Sequence, residues 1–333
     1  MLKRIWYEKR THSLSLLLIP VGWLYCLITN FRRWAYSSGL FHSNKLSVPV
    51  IIVGNISVGG TGKTPLVIWI IDFLKRQGWK PGVISRGYGG KAGKLPQEVG
   101  IDSDPALVGD EPVVIARHTS CPVYVSPDRF AAGKALLANN ECDIIVCDDG
   151  LQHYSLHRDF EICVIDGKRR HGNGRCLPSG PLREAQSRLR SVDAIVCNGA
   201  KADGEFSMVF EPVEIKQVKG SSSKSFEDFM DEKVHAVAGT GNPDRFFEAL
   251  RDQGLNIVEH PFDDHYKYKR SDFDFGDKNP VIMTEKDAVK CTGYAQDNHW
   301  YLSIVAKLPE IFEHRLVNLL KQNLELVRDK PYG

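Results

Sequence analysis

Ser57-Val58-Gly59-Gly60-Thr61-Gly62-Lys63-Thr64 follows the apolar run Val48-Pro49-Val50-Ile51-Ile52-Val53 and precedes a second one, Leu66 to Leu74. Strand, glycine-rich loop and helix in that order are the context of a phosphate-binding P-loop. Glycines let the backbone wrap closely, so that its N–H groups point inward at phosphate oxygens. The helix that follows offers its positive end to the same anion. Lys63 is placed to neutralise the β- and γ-phosphates and Thr64 to put a hydroxyl on Mg²⁺. Ser57 stands where G-x-x-x-x-G-K-[ST] has its first glycine, and Gly59, Gly60 and Gly62 supply the flexibility instead. A glycine-rich loop that binds nothing is the competing reading, and the Lys-Thr pair in this context opposes it.

With 333 residues the chain is long enough for two domains. Its net charge of +2 provides no field that calls for nucleic acid. The eight cysteines are scattered with no C-x-x-C, and read as reduced core residues of a cytosolic protein rather than a disulfide framework or zinc site.

The N-terminus differs in character. Thr11 to Phe31 holds no charged residue among 21 positions, His12 aside, with its apolar heart at Leu14–Ile28. Lys3, Arg4, Lys9 and Arg10 precede it and Arg32 and Arg33 follow, while Trp6, Tyr7 and Trp34 sit at interfacial positions. A cleaved signal peptide, a buried helix and a membrane anchor compete. The length can just span a bilayer, and an anchor that either spans or lies in the interface is the expectation over 1–36. No small-residue cleavage site follows Ile28, and nucleotide chemistry places the remainder in the cytoplasm.

Beyond the anchor, strands and helices alternate. Strands are expected at Val48–Val53, Pro81–Ser85, Pro122–Val125, Cys142–Cys147, Glu161–Ile165 and Ala194–Cys197. Helices are expected at Pro65–Gln77, Glu111–Thr119 and Asp128–Asn139. This is an α/β pattern with a mostly parallel sheet covered on both faces, a P-loop NTPase-like core over 37–204. Glu205–Val218 alternates like a half-exposed strand, and Lys219–Ser225 reads as a polar loop, together a strand-like linker over 205–232. A smaller α/β domain fills 233–333, with strands at Val234–Ala238, Pro280–Met283 and Leu302–Val305 and helices at Pro243–Gln253 and Pro309–Leu326.

Asp143-Ile144-Ile145-Val146-Cys147-Asp148-Asp149 is a hydrophobic strand ending in acids, the Walker B pattern, in which a carboxylate meets Mg²⁺ directly or through water. A strand-terminal turn is the alternative. Asp110-Glu111 precedes a helix, where a plain N-cap competes with a general base or a magnesium contact. Spacing alone favours the cap. Arg86, in Ser85-Arg86-Gly87-Tyr88-Gly89-Gly90, follows a strand end and is placed to meet a phosphate, or belongs to a surface loop. Gln152-His153, Arg183-Glu184 and Asp264-His265 say little alone.

Together these stretches resemble the tetraacyldisaccharide 4′-kinase (lipid A 4′-kinase) family. The residues that carry the resemblance are Gly54–Pro65, Ser85–Gly89, Val108–Pro112, Asp148-Asp149-Gly150-Leu151-Gln152-His153, Leu177–Glu184, Asp264-His265 and Thr284-Glu285-Lys286-Asp287. They run in one order over nearly the whole chain, and Ser57 is no departure from the family's loop, which looks like G-N-x-x-x-G-G-x-G-K-T-P. The resemblance implies transfer of the γ-phosphoryl of ATP to the 4′-hydroxyl of membrane-embedded tetraacyldisaccharide 1-phosphate, giving lipid IVA in lipopolysaccharide synthesis. It implies ATP and Mg²⁺ as cofactors, and the cytoplasmic side of a Gram-negative inner membrane as location. Holding an enzyme at the bilayer raises its effective concentration toward a lipid headgroup. No obligate protein partner is inferred.

The resemblance also assigns roles. Ser57–Thr64 hold ATP, and Thr64, Glu111 and Asp148 organise the metal. Asp110 accepts the hydroxyl proton, paired with His265 from the second domain, which requires the domains to close. Asn55, Arg86, Tyr88, Arg129, Asp149, Gln152, His153 and Arg183 line the disaccharide-phosphate pocket, with Arg129 set against the 1-phosphate. The main rival is a dimeric ATPase at the membrane with a K-G-G-x-G-K-[ST] loop. Val58 occupies its signature lysine position and argues against it. A GTPase needs N-K-x-D to select guanine, and the sequence has none; a nucleotide-gated scaffold predicts no acceptor-dependent ADP release.

Overall fold

The apolar runs become strands buried on both faces, and their order in the sheet sets the position of every polar loop. The computed structural model describes residues 6–7, 16–91, 93 and 95–328. A long helix, α1 (Ile19–Ser37), leads into β1 (Val50–Gly54), α2 (Lys63–Arg76), β2 (Pro81–Ser85), β3 (Gln97–Glu98), α3 (Pro105–Val108), α4 (Asp110–Thr119), β4 (Val123–Val125), α5 (Arg129–Asn139), β5 (Ile144–Asp148), β6 (Phe160–Asp166) and β7 (Ala194–Asn198). Then come β8 (Phe206–Gln217), β9 (Ser223–Lys224), β10 (Lys233–Ala238), α6 (Pro243–Asp252), β11 (Asn256–Pro261), β12 (Val281–Thr284), α7 (Glu285–Cys291), β13 (His299–Lys307) and α8 (Glu310–Arg328).

All these strands but β9 line up in the order β11-β10-β12-β13-β8-β7-β6-β1-β5-β2-β4-β3, with β9 pairing β8. In the first half β1 lies between β5 and β6, parallel to both, with Ile51 opposite Val146 and Phe160. Its five residues are all buried, as helix-covered parallel strands require. One face packs under α2 through Leu66, Val67, Ile70, Ile71 and Phe73, and the other around Leu136, Leu151 and Leu156. Asp128 caps α5 by accepting from the N–H of Phe130 (3.0 Å) and Ala131 (3.3 Å).

β8 joins the halves. Phe206–Met208 runs parallel to β7, and Val209–Gln217 then pairs antiparallel with β13. The register shifts between Ser303 and Ile304, opposite Pro212, which has no N–H to donate. In the second half β10, β11, β12 and β13 are parallel. Its helix α8 returns to the first half, where Phe312 packs against Trp69 (5.5 Å between ring centres) and Phe206 (5.1 Å).

Two features differ from expectation. Ser223–Lys224, inside the predicted polar loop, pairs with Ile215 and Lys216 of β8. Strand β11 and helix α7 of the second half, and strand β3 and helix α3 of the first, were not predicted.

The expected anchor over 1–36 coincides in part with α1. Among the described residues no helix is long and apolar enough to cross a membrane. Within α1 the polar Asn30, Arg32 and Arg33 follow the apolar residues. Gly22, Tyr25, Cys26, Thr29 and Tyr36, on one side of the helix, face the protein and are buried or half-buried. Lys3, Arg4, Lys9 and Arg10 lie outside the described residues.

Candidate active site

The carboxyl ends of β1, β2 and β5 from the first half, and of β10 and β12 from the second, open on one crevice, the usual ligand position in parallel α/β sheets. The loop after β1 is held on three sides. Val58 N–H donates to the Pro181 carbonyl (2.8 Å), and Arg183 N–H to that of Ile56 (2.7 Å). Asn55 donates to Thr61 Oγ1 (3.3 Å), and Asn198 at the end of β7 to the Thr61 carbonyl (3.2 Å). Gly62 closes the loop at φ +97°, and a Cβ there would come within 2.7 Å of both Asn198 and Phe210. Ser57, Thr61, Lys63 and Thr64 are buried, whereas Gly60 is exposed.

Lys63 Nζ points to Asp149 Oδ1 at 3.5 Å, and Arg183 donates to both Asp149 oxygens at 3.1 Å. Burial raises the Asp149 pKa, but Lys63 and Arg183 outweigh it and hold the carboxyl far below its usual range. Asp149 adopts φ +49°, an uncommon backbone for a non-glycine and one that clusters at functional sites.

Its neighbour Asp148 behaves oppositely. It is fully buried, accepts from Ser85 Oγ at 3.3 Å, and leaves Oδ1 with no partner. Burial and the nearby Glu111 charge push its pKa up to about 7. A buried, partnerless carboxylate oxygen among oxygen donors fits a hard divalent cation.

Across the crevice Asp110 opens α4. It is buried, its Oδ1 accepts from Glu111 N–H (2.9 Å), and its Oδ2 meets His265 Nδ1 at 3.1 Å. Burial raises the Asp110 pKa, yet His265, Lys286 and Lys290 bring it down to about 2. For His265 burial favours the neutral ring, and Asp110 reverses this and raises its pKa. His265 sits at φ +58°, with the Tyr88 ring edge-on at 4.9 Å. Glu111 is ion-paired with Lys286 of α7.

The remaining predicted positions are distributed around this centre. Gln152 donates to the Asn55 carbonyl and to buried Glu184, both at 2.9 Å, so it braces the loop. Tyr88 and Arg86 are exposed at the crevice rim. His153 bonds Ser155 at 3.1 Å, and burial beside Arg129 and Arg158 lowers its pKa to about 4. Arg129 is buried and donates to the carbonyls of Pro127 (3.0 Å) and Asp149 (3.4 Å).

Sequence reasoning gave no role to Lys286, Lys290, Ser85, Asn198 or the Gly239–Asn242 loop. Gly241 of that loop packs on Gly60, and Arg169 donates to its carbonyl at 2.6 Å. The available signal was Thr284-Glu285-Lys286-Asp287 directly after an apolar strand, where Thr284 caps a helix.

Residues 14–321 match the family model described as Tetraacyldisaccharide-1-P 4'-kinase. The chain belongs to that family. A tetraacyldisaccharide 4'-kinase of Nitrosococcus oceani is 51% identical over 96% of this chain and 94% of its own length. One of Coxiella burnetii is 47% identical over 95% of this chain and 94% of its own. The crystal structure of LpxK from Aquifex aeolicus in complex with ATP superposes with a TM-score of 0.79 at 32% identity, covering 92% of this chain and 99% of that one.

Proposed function

We propose that this kinase uses the crevice between its halves to phosphorylate the 4′-hydroxyl of tetraacyldisaccharide 1-phosphate at the expense of ATP. The reaction belongs to its family; the residue roles that follow are our reading. The observation that carries it is the His265–Asp110 contact, which sets a carboxylate opposite the P-loop and joins the two halves.

Lys63 and the amides of Ser57–Gly62 hold the phosphates, with Lys63 leaving Asp149 for them and Arg183 keeping Asp149 neutralised. Thr64, Asp148 and Glu111 would hold Mg²⁺, which when bound neutralises charge on the β- and γ-phosphates. Among the described residues no cluster of three or more His, Cys, Asp or Glu could hold a metal alone. Mg²⁺ commonly binds through one or two carboxylates plus substrate phosphates.

Asp110, at about 2, is a weak base. Phosphoryl transfer through a loose transition state asks little of a base until the acceptor bond forms, so Asp110 chiefly orients the 4′-hydroxyl and takes its proton late. Loss of the His265 proton strengthens Asp110 as a base. Asn55, Arg86, Tyr88, Arg129, Gln152 and His153 form the wall on the disaccharide side, the rim residues meeting the headgroup and the buried ones keeping its shape.

The lipid acceptor is reached from a membrane surface. On α1, Trp23 (73% exposed), Leu24, Leu27, Ile28, Phe31 and Trp34 form an outward apolar face. Arg32, also exposed, lies on the same helix. Such a face suits peripheral seating at the headgroup boundary of an anionic bilayer. Transfer of label from γ-labelled ATP to the lipid, lost in Asp110→Ala, tests the reading, and ATP turnover with an unlabelled lipid would refute it.

A further inference from the structure

Lys286 lies in the first turn of α7, where a positive side chain opposes the helix dipole. Its ammonium leaves that helix and crosses to the first half to pair with Glu111. Lys286 and Glu111 are about three-quarters or more shielded, with side-chain exposures of 24% and 17%. Burial lowers the Lys286 pKa, but Glu111, Asp110 and Asp264 outweigh it and raise it above the ordinary lysine value. The same ammonium also eases the charge on Asp148. One cation from the second half thus answers four carboxylates around the site where phosphoryl transfer is proposed.

Glu111 cannot give full charge both to this ammonium and to a divalent cation. We propose that Lys286 is a placeholder cation: it neutralises Glu111 until the nucleotide arrives with its divalent metal, then yields the carboxylate and binds the transferring γ-phosphoryl group. It stays protonated throughout and no covalent bond changes. Lys286 is then a catalytic residue delivered by the second half, and it couples nucleotide binding to closure. A lysine is suited to this exchange, since a point-like ammonium on a flexible stem can move from a carboxylate to a phosphoryl oxygen without a fixed fork geometry. The inference rests on the phosphotransfer reading above.

The test uses full-length wild type, Lys286→Met and Lys286→Arg. Mn²⁺ affinity is measured by electron paramagnetic resonance with ADP bound, which supplies phosphate ligands but no γ-phosphoryl group, and kcat and KM for ATP and lipid are measured against free Mg²⁺, with Tm as the folding control. Removing the competing ammonium makes Lys286→Met bind Mn²⁺ about tenfold more tightly, a coupling of ordinary size for two ligands sharing one site. Its kcat falls on the order of 100-fold, as for loss of one transition-state donor, with Tm and the lipid KM near wild type. Lys286→Arg keeps the charge and recovers part of kcat.

Unchanged Mn²⁺ affinity in Lys286→Met, with kcat falling only as Tm falls, overturns the proposal in favour of a structural pin. Tighter Mn²⁺ with wild-type kcat overturns the phosphoryl contact. If wild type itself fails to label the lipid, the phosphotransfer reading fails, and the Mn²⁺ measurement still decides whether Lys286 and metal compete.

Discussion

His265 Nδ1 and Asp110 Oδ2 stand 3.1 Å apart although the residues come from opposite halves of the chain. Each shifts the other. His265 has a raised pKa, so its contribution to this contact is fully present below about 6.5 and is lost as pH rises through the folded value. Asp110 has a lowered one, so its contribution is present above about 3.8 and is lost as pH falls toward about 2. The contact is therefore strongest from mildly acid to neutral pH. Above that range His265 becomes neutral and Asp110 a stronger base, so kcat/KM rises with pH. In His265→Ala this rise flattens and the rate falls, by about 10²–10⁴-fold if the dyad performs acid–base work. An unaltered pH profile in that variant removes His265 from the mechanism.

Asp148 contributes with the opposite sign. Its pKa is raised to about 7, so the folded state holds the proton more tightly than the unfolded state. Stability falls as pH climbs from near 4 to near 7. Asp148→Asn should raise Tm at pH 8, with little effect at pH 4, while abolishing activity. Differential scanning calorimetry across that range checks it. A lower Tm in the variant at pH 8 contradicts the assignment of Asp148 as a buried carboxylate with one oxygen unpartnered.

Gly241 presses on the P-loop from the second half. A methyl group there would collide with the amide nitrogen of Gly60 and come within 3.2 Å of Asp264 Oδ2. Gly241→Ala should therefore hold the halves apart and raise KM for ATP by about tenfold, the effect of about 1.4 kcal/mol of lost binding. Tm should stay near wild type, because the crevice and not a core absorbs the strain. Isothermal titration with a non-hydrolysable ATP analogue measures it.

The apolar face of α1 predicts vesicle binding. Leu24→Asp with Leu27→Asp places two charges on a surface that carries no core contact, both residues being over half exposed. Flotation with anionic vesicles should fall sharply, and KM for the lipid should rise while kcat on detergent-dispersed lipid is retained. Equal flotation of variant and wild type removes this face from membrane seating.

The strands most readable in the sequence were those buried on both faces. Val50–Gly54, Ile144–Asp148 and Ala194–Asn198 are short apolar runs cut off by glycine, acid or asparagine, and their hydrophobicity needs no partner to be recognised. Asn256–Pro261 was missed because an edge strand beside β10 carries polar side chains, with burial too irregular to alternate. Gln97–Glu98 is two exposed residues paired with Tyr124 and Val125, which no local pattern can announce.

The candidate site divides the same way. The loop Gly59-Gly60-Thr61-Gly62-Lys63-Thr64 takes its shape within a few positions, so its place between β1 and α2 is legible. The opposite fates of Asp148 and Asp149 are not, because they depend on which neighbours are charged: Glu111 for one, Lys63 and Arg183 for the other. The partnership of Lys286 with Glu111 spans 175 positions and exists only when the halves meet.

The most direct test of the whole account is transfer of γ-labelled phosphoryl from ATP to tetraacyldisaccharide 1-phosphate in detergent micelles with Mg²⁺, comparing wild type with Asp110→Ala. The account predicts label in the lipid for wild type and its loss in the variant, with ATP still bound by both. Label transferred equally by the two proteins, or ADP released with no labelled lipid, would contradict it.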